Sequence, residues 1–251
     1  MIPFFRKIRK KMADDNKPLK YMRYAIGEVL LVVIGILIAL SVNNSNMKRV
    51  DRIKEIKYLK NIKLDLTKDI ANIKFNIEFR KNKLLGTKKL LDQINGAPID
   101  DLTELTYNVI NTLYQQRFQP SNITYTELVS SGNMNIISND SIKLHLLELE
   151  LLYQANIFGI EHETFEYREY ISKPIFKNLD LQPMKPVFLN EIRAEDVHIT
   201  KEKFEVLLQN VEFKNGCVIS NWTTEEIITI FEDIQNRSKK IIKFIDTELK
   251  K

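Results

Sequence analysis

The run AIGEVLLVVIGILIALSV, Ala25 to Val42, carries a single charge at Glu28 and constrains the chain more than any other feature. A helix of about 20 mostly apolar residues is what the roughly 30 Å hydrocarbon layer demands, because lipid offers no partner for an open backbone N–H or C=O. The length fits one transmembrane helix and exceeds most signal-peptide cores. A competing reading stays open: Ala39-Leu40-Ser41 has the small-x-small spacing of a cleavage site, which would make the run a signal peptide removed on export.

A net charge of +5 suggests nucleic-acid binding until it is divided along the chain. Residues 1–24 hold Arg6, Lys7, Arg9, Lys10, Lys11, Lys17, Lys20 and Arg23 against Asp14 and Asp15, a balance of +6, so the remainder sums to −1. The basicity belongs to a short tail beside a membrane, where each cation near an anionic leaflet contributes about 1 kcal/mol. No nucleic-acid partner is expected. Arg6, Lys7, Arg9, Lys10 and Lys11 are the candidate membrane-surface residues, with Phe4, Phe5, Ile8 and Met12 at helical spacing opposite them. A disordered basic stop signal is the alternative. The segment from Asn43 to Ile62 carries six cations (Lys48, Arg49, Arg52, Lys54, Lys57, Lys60), fewer than the tail. The excess of Lys and Arg before the span predicts a cytoplasmic amino terminus and a large external domain.

The segments FFRKIRKKM, KYMRYAIGEVLLVVIGILIALSVNN and, much later, TYTELVSSGNMNII resemble an uncharacterised bacterial family of short single-pass inner-membrane proteins. The similarity is densest over residues 4–44 and returns at 121–137 and in the carboxyl-terminal helix. Where the resemblance implies NNWNE after the span, this chain has Asn43-Asn44-Ser45-Asn46-Met47 and so lacks the interfacial tryptophan. The resemblance implies a bacterial inner (cytoplasmic) membrane and a helical periplasmic domain. It implies no reaction, cofactor or catalytic residue.

Within the span, Glu28 sits about two turns from Tyr21 and Arg23. A carboxylate costs about 2.5–3.5 kcal/mol at the bilayer centre and less toward its edge. Glu28 is read either as a snorkelling interfacial group or as a polar contact to a partner helix. Gly35 and Ala39 form a small-xxx-small pair that permits close helix approach. These three residues are the candidate transmembrane partner contacts.

Beyond the span the composition predicts long helices, because only seven Gly and seven Pro are available to punctuate the whole chain. The expected fold is all-α: one amino-terminal transmembrane helix (25–42) after a basic cytoplasmic tail (1–24), then an extracytoplasmic helical bundle (43–251). Leu59, Ile62, Leu66, Ile70, Ile73, Ile77, Leu84, Leu91 and Ile94 recur at steps of three, four or seven. They predict one amphipathic helix from about Met47 to Ile94, whose continuity with the span the pattern leaves open. Phe75 and Phe79 widen the stripe and favour a bundle over a bare coiled coil. Asn95-Gly96-Ala97-Pro98 stops the helix, and Asp101 with Glu104 forms a capping box for the next. Thr124 with Glu127 predicts a short helix closed by Gly132. Asp140 to Lys173 reads as a second long helix with Ile142, Leu146, Leu149, Tyr153, Ile157, Ile160, Tyr167 and Ile171 on one side. Three prolines (Pro174, Pro183, Pro186) predict an irregular stretch over 174–199, then a helix near Lys201 to Asn210. Thr223 and Glu226 read as a capping box for the last helix, with Trp222 and Ile227 as its hydrophobic staple. The long helices are expected to run up and down.

The chemical motifs are negative. There is no Walker loop, GxGxxG, HExxH or G-x-S-x-G. A lone Glu195/His198 pair is not the paired Glu-x-x-His of a di-metal bundle. His145 and His162 lie on a helix flank, where His162 with Glu166 reads as a solvated pair. Cys217 is the single cysteine, which excludes an intrachain disulfide. No catalytic residue, metal site or cofactor is expected, and the chain is read as non-enzymatic. Three classes of function remain: an assembly or accessory subunit of a cell-envelope complex, an external ligand-binding or stress-sensing domain signalling through a partner, and an envelope enzyme. The expected partners are the lipid bilayer and either another membrane protein or a second copy of the chain. An exposed apolar strip along Leu59 to Ile94 would favour assembly, and a buried polar pocket between the long helices would favour sensing.

Overall fold

The computed structural model describes residues 18–251, and the cationic tail positions 6, 7, 9, 10 and 11 lie outside them. The fold is all-α, with no strand among the described residues. It divides into two compact units, Met1–Ile56 and Lys57–Lys251. The first helix, α1 (Pro18–Ile94), supplies the described part of the first unit and the opening helix of the second. No proline interrupts it after Pro18, so neither the Asn-rich step after the span nor Gly27 and Gly35 are enough to end it.

In the first unit the apolar run is helical and its apolar side chains are largely exposed, with an 18-residue window of mean hydropathy 2.7 and none of it buried. By length and composition this helix could cross a membrane.

The second unit is built on three long helices: the second part of α1, α4 (Asp140–Glu166) and α8 (Val211–Glu248). Lys63 pairs with Asp246 and Lys88 with Glu225, so α8 runs antiparallel to α1. Asp69 meets Tyr153 and Arg80 meets Glu163, so α4 runs parallel to α1, correcting the up-and-down expectation. The parallel course follows from the connection. After α2 (Leu102–Thr112) the chain has no helix until α3 (Ile123–Ser130), and residues 114–122 travel back along α1 before α4 starts.

Asp101 caps α2 as its sequence predicts, accepting from Thr103 N at 2.7 Å and Glu104 N at 3.0 Å. Other start and stop signals misled. At α3, Thr124 does not cap its own helix. Its hydroxyl donates to Asp65 of α1 at 2.6 Å. The helix from Asp140 does not stop before Pro174: it widens into a π turn (Tyr167–Ser172) and resumes as α5 (Lys173–Asn178) with proline in the first turn. The N–H that proline lacks has no intrahelical partner there anyway. The 174–199 stretch contains a further short helix, α6 (Met184–Phe188), and a 3₁₀ turn (Glu195–Val197); α7 (Glu202–Leu208) follows. The proposed box at Thr223 lies inside α8, which Asn210 opens by accepting from Phe213 N at 2.8 Å. Trp222 is exposed there instead of stapling a helix start. Gly216 has a positional reason: a Cβ would sit 2.8 Å from the carbonyl oxygen of Tyr170 in the π turn.

Two apolar cores result. One gathers Leu59, Ile62, Leu66, Ile73, Phe118, Ile142 and Phe231 with their neighbours, and the other Leu90, Val109, Ile175, Phe204, Phe213 and Cys217. Between them along α1 lie buried polar residues.

Candidate functional site

From Leu59 onward the buried side chains of α1 alternate steps of three and four: Leu59, Ile62, Leu66, Asp69, Ile73, Asn76, Arg80, Lys83, Thr87, Leu90. This is a heptad seam, and half of it is polar. The stripe read from the sequence is therefore displaced in its second half. Ile70, Ile77, Leu84, Leu91 and Ile94 are only half-buried on the flank, and Phe75 is exposed. A search for apolar periodicity passes over a position where a buried polar group finds its partner from elsewhere in the chain.

Those partners are largely backbone. Segment 114–122 has no helix or sheet to satisfy its peptide groups, and an unpaired buried peptide costs about as much as a lost hydrogen bond. Lys83 Nζ donates to Tyr114 O at 3.1 Å, Arg80 Nη2 to Gln116 O at 3.0 Å, and Asn156 Nδ2 to Phe118 O at 3.4 Å. Ser121 N donates to Asp69 at 2.8 Å. Arg80 is 1% exposed and forks onto Glu163 of α4 at 2.7 and 2.9 Å, over the ring of Phe231. Burial pushes the Glu163 carboxyl up, but Arg80, with Lys83 behind it, outweighs this and holds it below the usual carboxylate range. Burial lowers the Lys83 ammonium against the attraction of Glu163. Burial raises the Asp69 carboxyl, partly offset by hydrogen bonds from Tyr153 and Ser121, and it raises the Tyr153 phenol well above its usual range. Tyr153 thus remains a donor to Asp69, at 2.7 Å. Burial pushes the Cys217 thiol up to about 12, which makes it inert as a nucleophile at neutral pH.

The polar seam accordingly explains itself as a device that holds an irregular return segment. The cavity beside it, lined by Asp65, Tyr125, Glu150 and Tyr153, is about 20 Å³, room for roughly one water. The three histidines share no site. His162 lies 3.5 Å from Glu166 with its ring largely exposed, His145 pairs with Glu148, and Glu195 and His198 are exposed around a 3₁₀ turn. Among the described residues no three His, Cys, Asp or Glu side chains could hold a metal together.

The apolar stripe residues along Leu59 to Ile94, whose exposure would have favoured assembly, are buried or half-buried, because α4, α8 and the return segment cover that face. An exposed strip exists on α4 instead. Leu144 (55%), Leu151 (70%), Phe158 (67%) and Phe165 (56%) stand seven residues apart, with Leu147 at the intervening position. The sequence reading fitted α4 with one apolar side. Leucines stand on both sides, phenylalanines on the outer one, and Ile157, grouped with the inner residues, is exposed.

In the first unit Glu28 is partly exposed, Ala39 is exposed, and a Cβ on Gly35 would meet nothing within 4 Å. All three lie on the apolar part of α1, with Gly35 and Ala39 one turn apart.

These features define an all-α protein with one helix capable of crossing a membrane and a helical unit that buries charge while exposing an apolar stripe. The chain belongs to DUF6090, a family of unknown function, whose model matches residues 28–171. The match runs from Glu28 through α4 into the π turn. No curated protein and no solved structure matches the chain.

Proposed function

We propose that this protein is a non-enzymatic, single-pass protein of the bacterial inner membrane, with a cytoplasmic amino terminus and a periplasmic helical domain. In this reading it serves as an assembly or accessory subunit of a cell-envelope complex, acting through helix–helix contacts. One observation carries the proposal: the outer stripe of α4, an ordered apolar face of the kind that marks a protein contact when it is contiguous. The open helix surface around Gly35 and Ala39 supports it.

Ligand sensing is the second reading. It is favoured by a polar cleft of about 680 Å³ between α1 and α2, whose wall includes Asn108, a buried side chain with its amide nitrogen unpartnered. Gentle solubilisation of the tagged protein from its native membrane, with particle mass and composition read on one sample, separates the two. Assembly predicts a particle larger than one chain that dissociates when Phe158 is changed to Glu. A monomer in the native protein overturns it.

A further inference from the structure

We propose that the outer stripe of α4 is the interface between two copies of this chain, paired as a parallel two-stranded coiled coil over Lys143–Phe165. The inference rests on the assembly reading above and names its partner.

The spacing comes first. With Leu144 at heptad position a, Leu151, Phe158 and Phe165 occupy the following a positions, and Leu147, Gln154 and Glu161 the d positions. A seam at a 3.5-residue period is complementary to another seam of the same period. Within the second unit α4 alone exposes one: the exposed Leu64, Phe75 and Leu85 of α1 are ten or eleven residues apart, with polar residues between.

Charge then favours a parallel pair. In parallel strands a g residue faces the e residue of the next heptad on the partner. Lys143 then faces Glu148, Glu150 faces Ala155, and Ile157 faces His162, which is one attraction on each side and no acidic pair among these flanking positions; the acidic pair is Glu161 with its own copy, inside the seam. Direction agrees. Because α4 runs parallel to α1 within this unit, a parallel pair turns both Lys57 ends the same way, as two chains entering one membrane require. An antiparallel pair would send them opposite ways.

Area sets the strength. A phenylalanine or tyrosine can bury about 150–250 Å², so five half-exposed to two-thirds-exposed side chains offer on the order of 500 Å² per copy. That lies at the low end for specific interfaces. Anchoring both copies in one bilayer raises their effective concentration and makes such a contact sufficient. Glu161, at a d position, would face its own copy and weaken the pair.

The test uses the full chain in phosphatidylethanolamine/phosphatidylglycerol liposomes, with single cysteines at Leu144, Leu151, Phe158 or Phe165, and at exposed Val206 as control. Cys217 is fully buried and stays unreactive. Copper-phenanthroline oxidation should give disulfide dimers at all four stripe positions and little at Val206. Phe158→Glu should weaken self-association in detergent at least tenfold with unchanged helicity, and Glu161→Leu should strengthen it several-fold. Crosslinking only between Leu151→Cys and Phe158→Cys chains mixed together, and not between identical positions, would indicate antiparallel strands and overturn the parallel pairing, and equal crosslinking at Val206 would mark random collision and overturn the interface. A particle of one copy bound to a different protein and released by Phe158→Glu would overturn the second copy while keeping the assembly reading. A monomer in both settings would overturn both.

Discussion

The two faces of α4 invert the usual distribution of polarity. Its inner face buries Glu163, Glu166 and Asn156, whereas its outer face presents Leu144, Leu147, Leu151, Phe158 and Phe165 to solvent. Burying a charge is costly unless it is paired and hydrogen-bonded, and exposing a row of large apolar side chains gives up the stabilisation their burial would bring. The inner charges are explained from within the chain, because Arg80, Lys83 and Thr223 hold them. Nothing among the described residues covers the outer stripe. One face is therefore structural, and the other is the place to look for function.

The largest effect should come from breaking the inner face. Glu163→Ala leaves Arg80 and Lys83 buried without their counter-charge and should cost about 3–5 kcal/mol in denaturant unfolding of the full chain followed by circular dichroism. An Arg80→Met/Glu163→Leu double variant should recover a large part of that loss. A double variant as unstable as the single one would show that the return segment, through Gln116, depends on the guanidinium more than on the ion pair.

Acid should act on the same pair. Because the folded carboxyl of Glu163 is held below its ordinary value, its contribution is complete above that ordinary value and is lost as pH falls through the lower, folded one. Asp69, shifted upward, acts in the opposite direction. The slope of stability against pH in the acid range should therefore flatten in the Arg80→Met/Glu163→Leu variant, and an unchanged slope would assign acid sensitivity elsewhere.

Tyr153→Phe removes one of two hydrogen bonds to buried Asp69 and should cost about 1.5–3 kcal/mol in the same unfolding measurement. A neutral result would mean that Asp69 is protonated in the fold. The smallest effect is expected outside: Leu151→Ser and Phe158→Ser should each change the stability of the isolated chain by less than about 0.5 kcal/mol, as surface substitutions do. A loss of several kcal/mol on dilution to monomer would place these residues in the fold after all and erase the contrast between the faces.

Much of the fold is legible in the residues because its signals are local. The apolar run, the Asp101 cap, the stop at Asn95-Gly96 and the long 3.6-residue periodicities depend on neighbours along the chain. The misreadings share one cause. Thr124 and Thr223 carry the residue pattern of a helix start, yet each is a donor to a carboxylate on another helix, Asp65 and Glu166. The stripe through Ile77, Leu84 and Leu91 is apolar but lies beside the seam that Asn76, Arg80, Lys83 and Thr87 occupy. The outer row of α4 could have been found by testing a strict heptad as a second pattern on the same helix.

By itself, then, the sequence determined that this chain is helical, that one segment can cross a membrane, and where the first long helix stops. Those outcomes follow from backbone satisfaction and side-chain periodicity within a single segment. Only the tertiary structure decided which face of α4 turns inward and why charges are buried there. The partners of Arg80, Lys83 and Asp69 are peptide groups of a segment some 30 to 50 residues away, and they become partners only when the chain returns along α1.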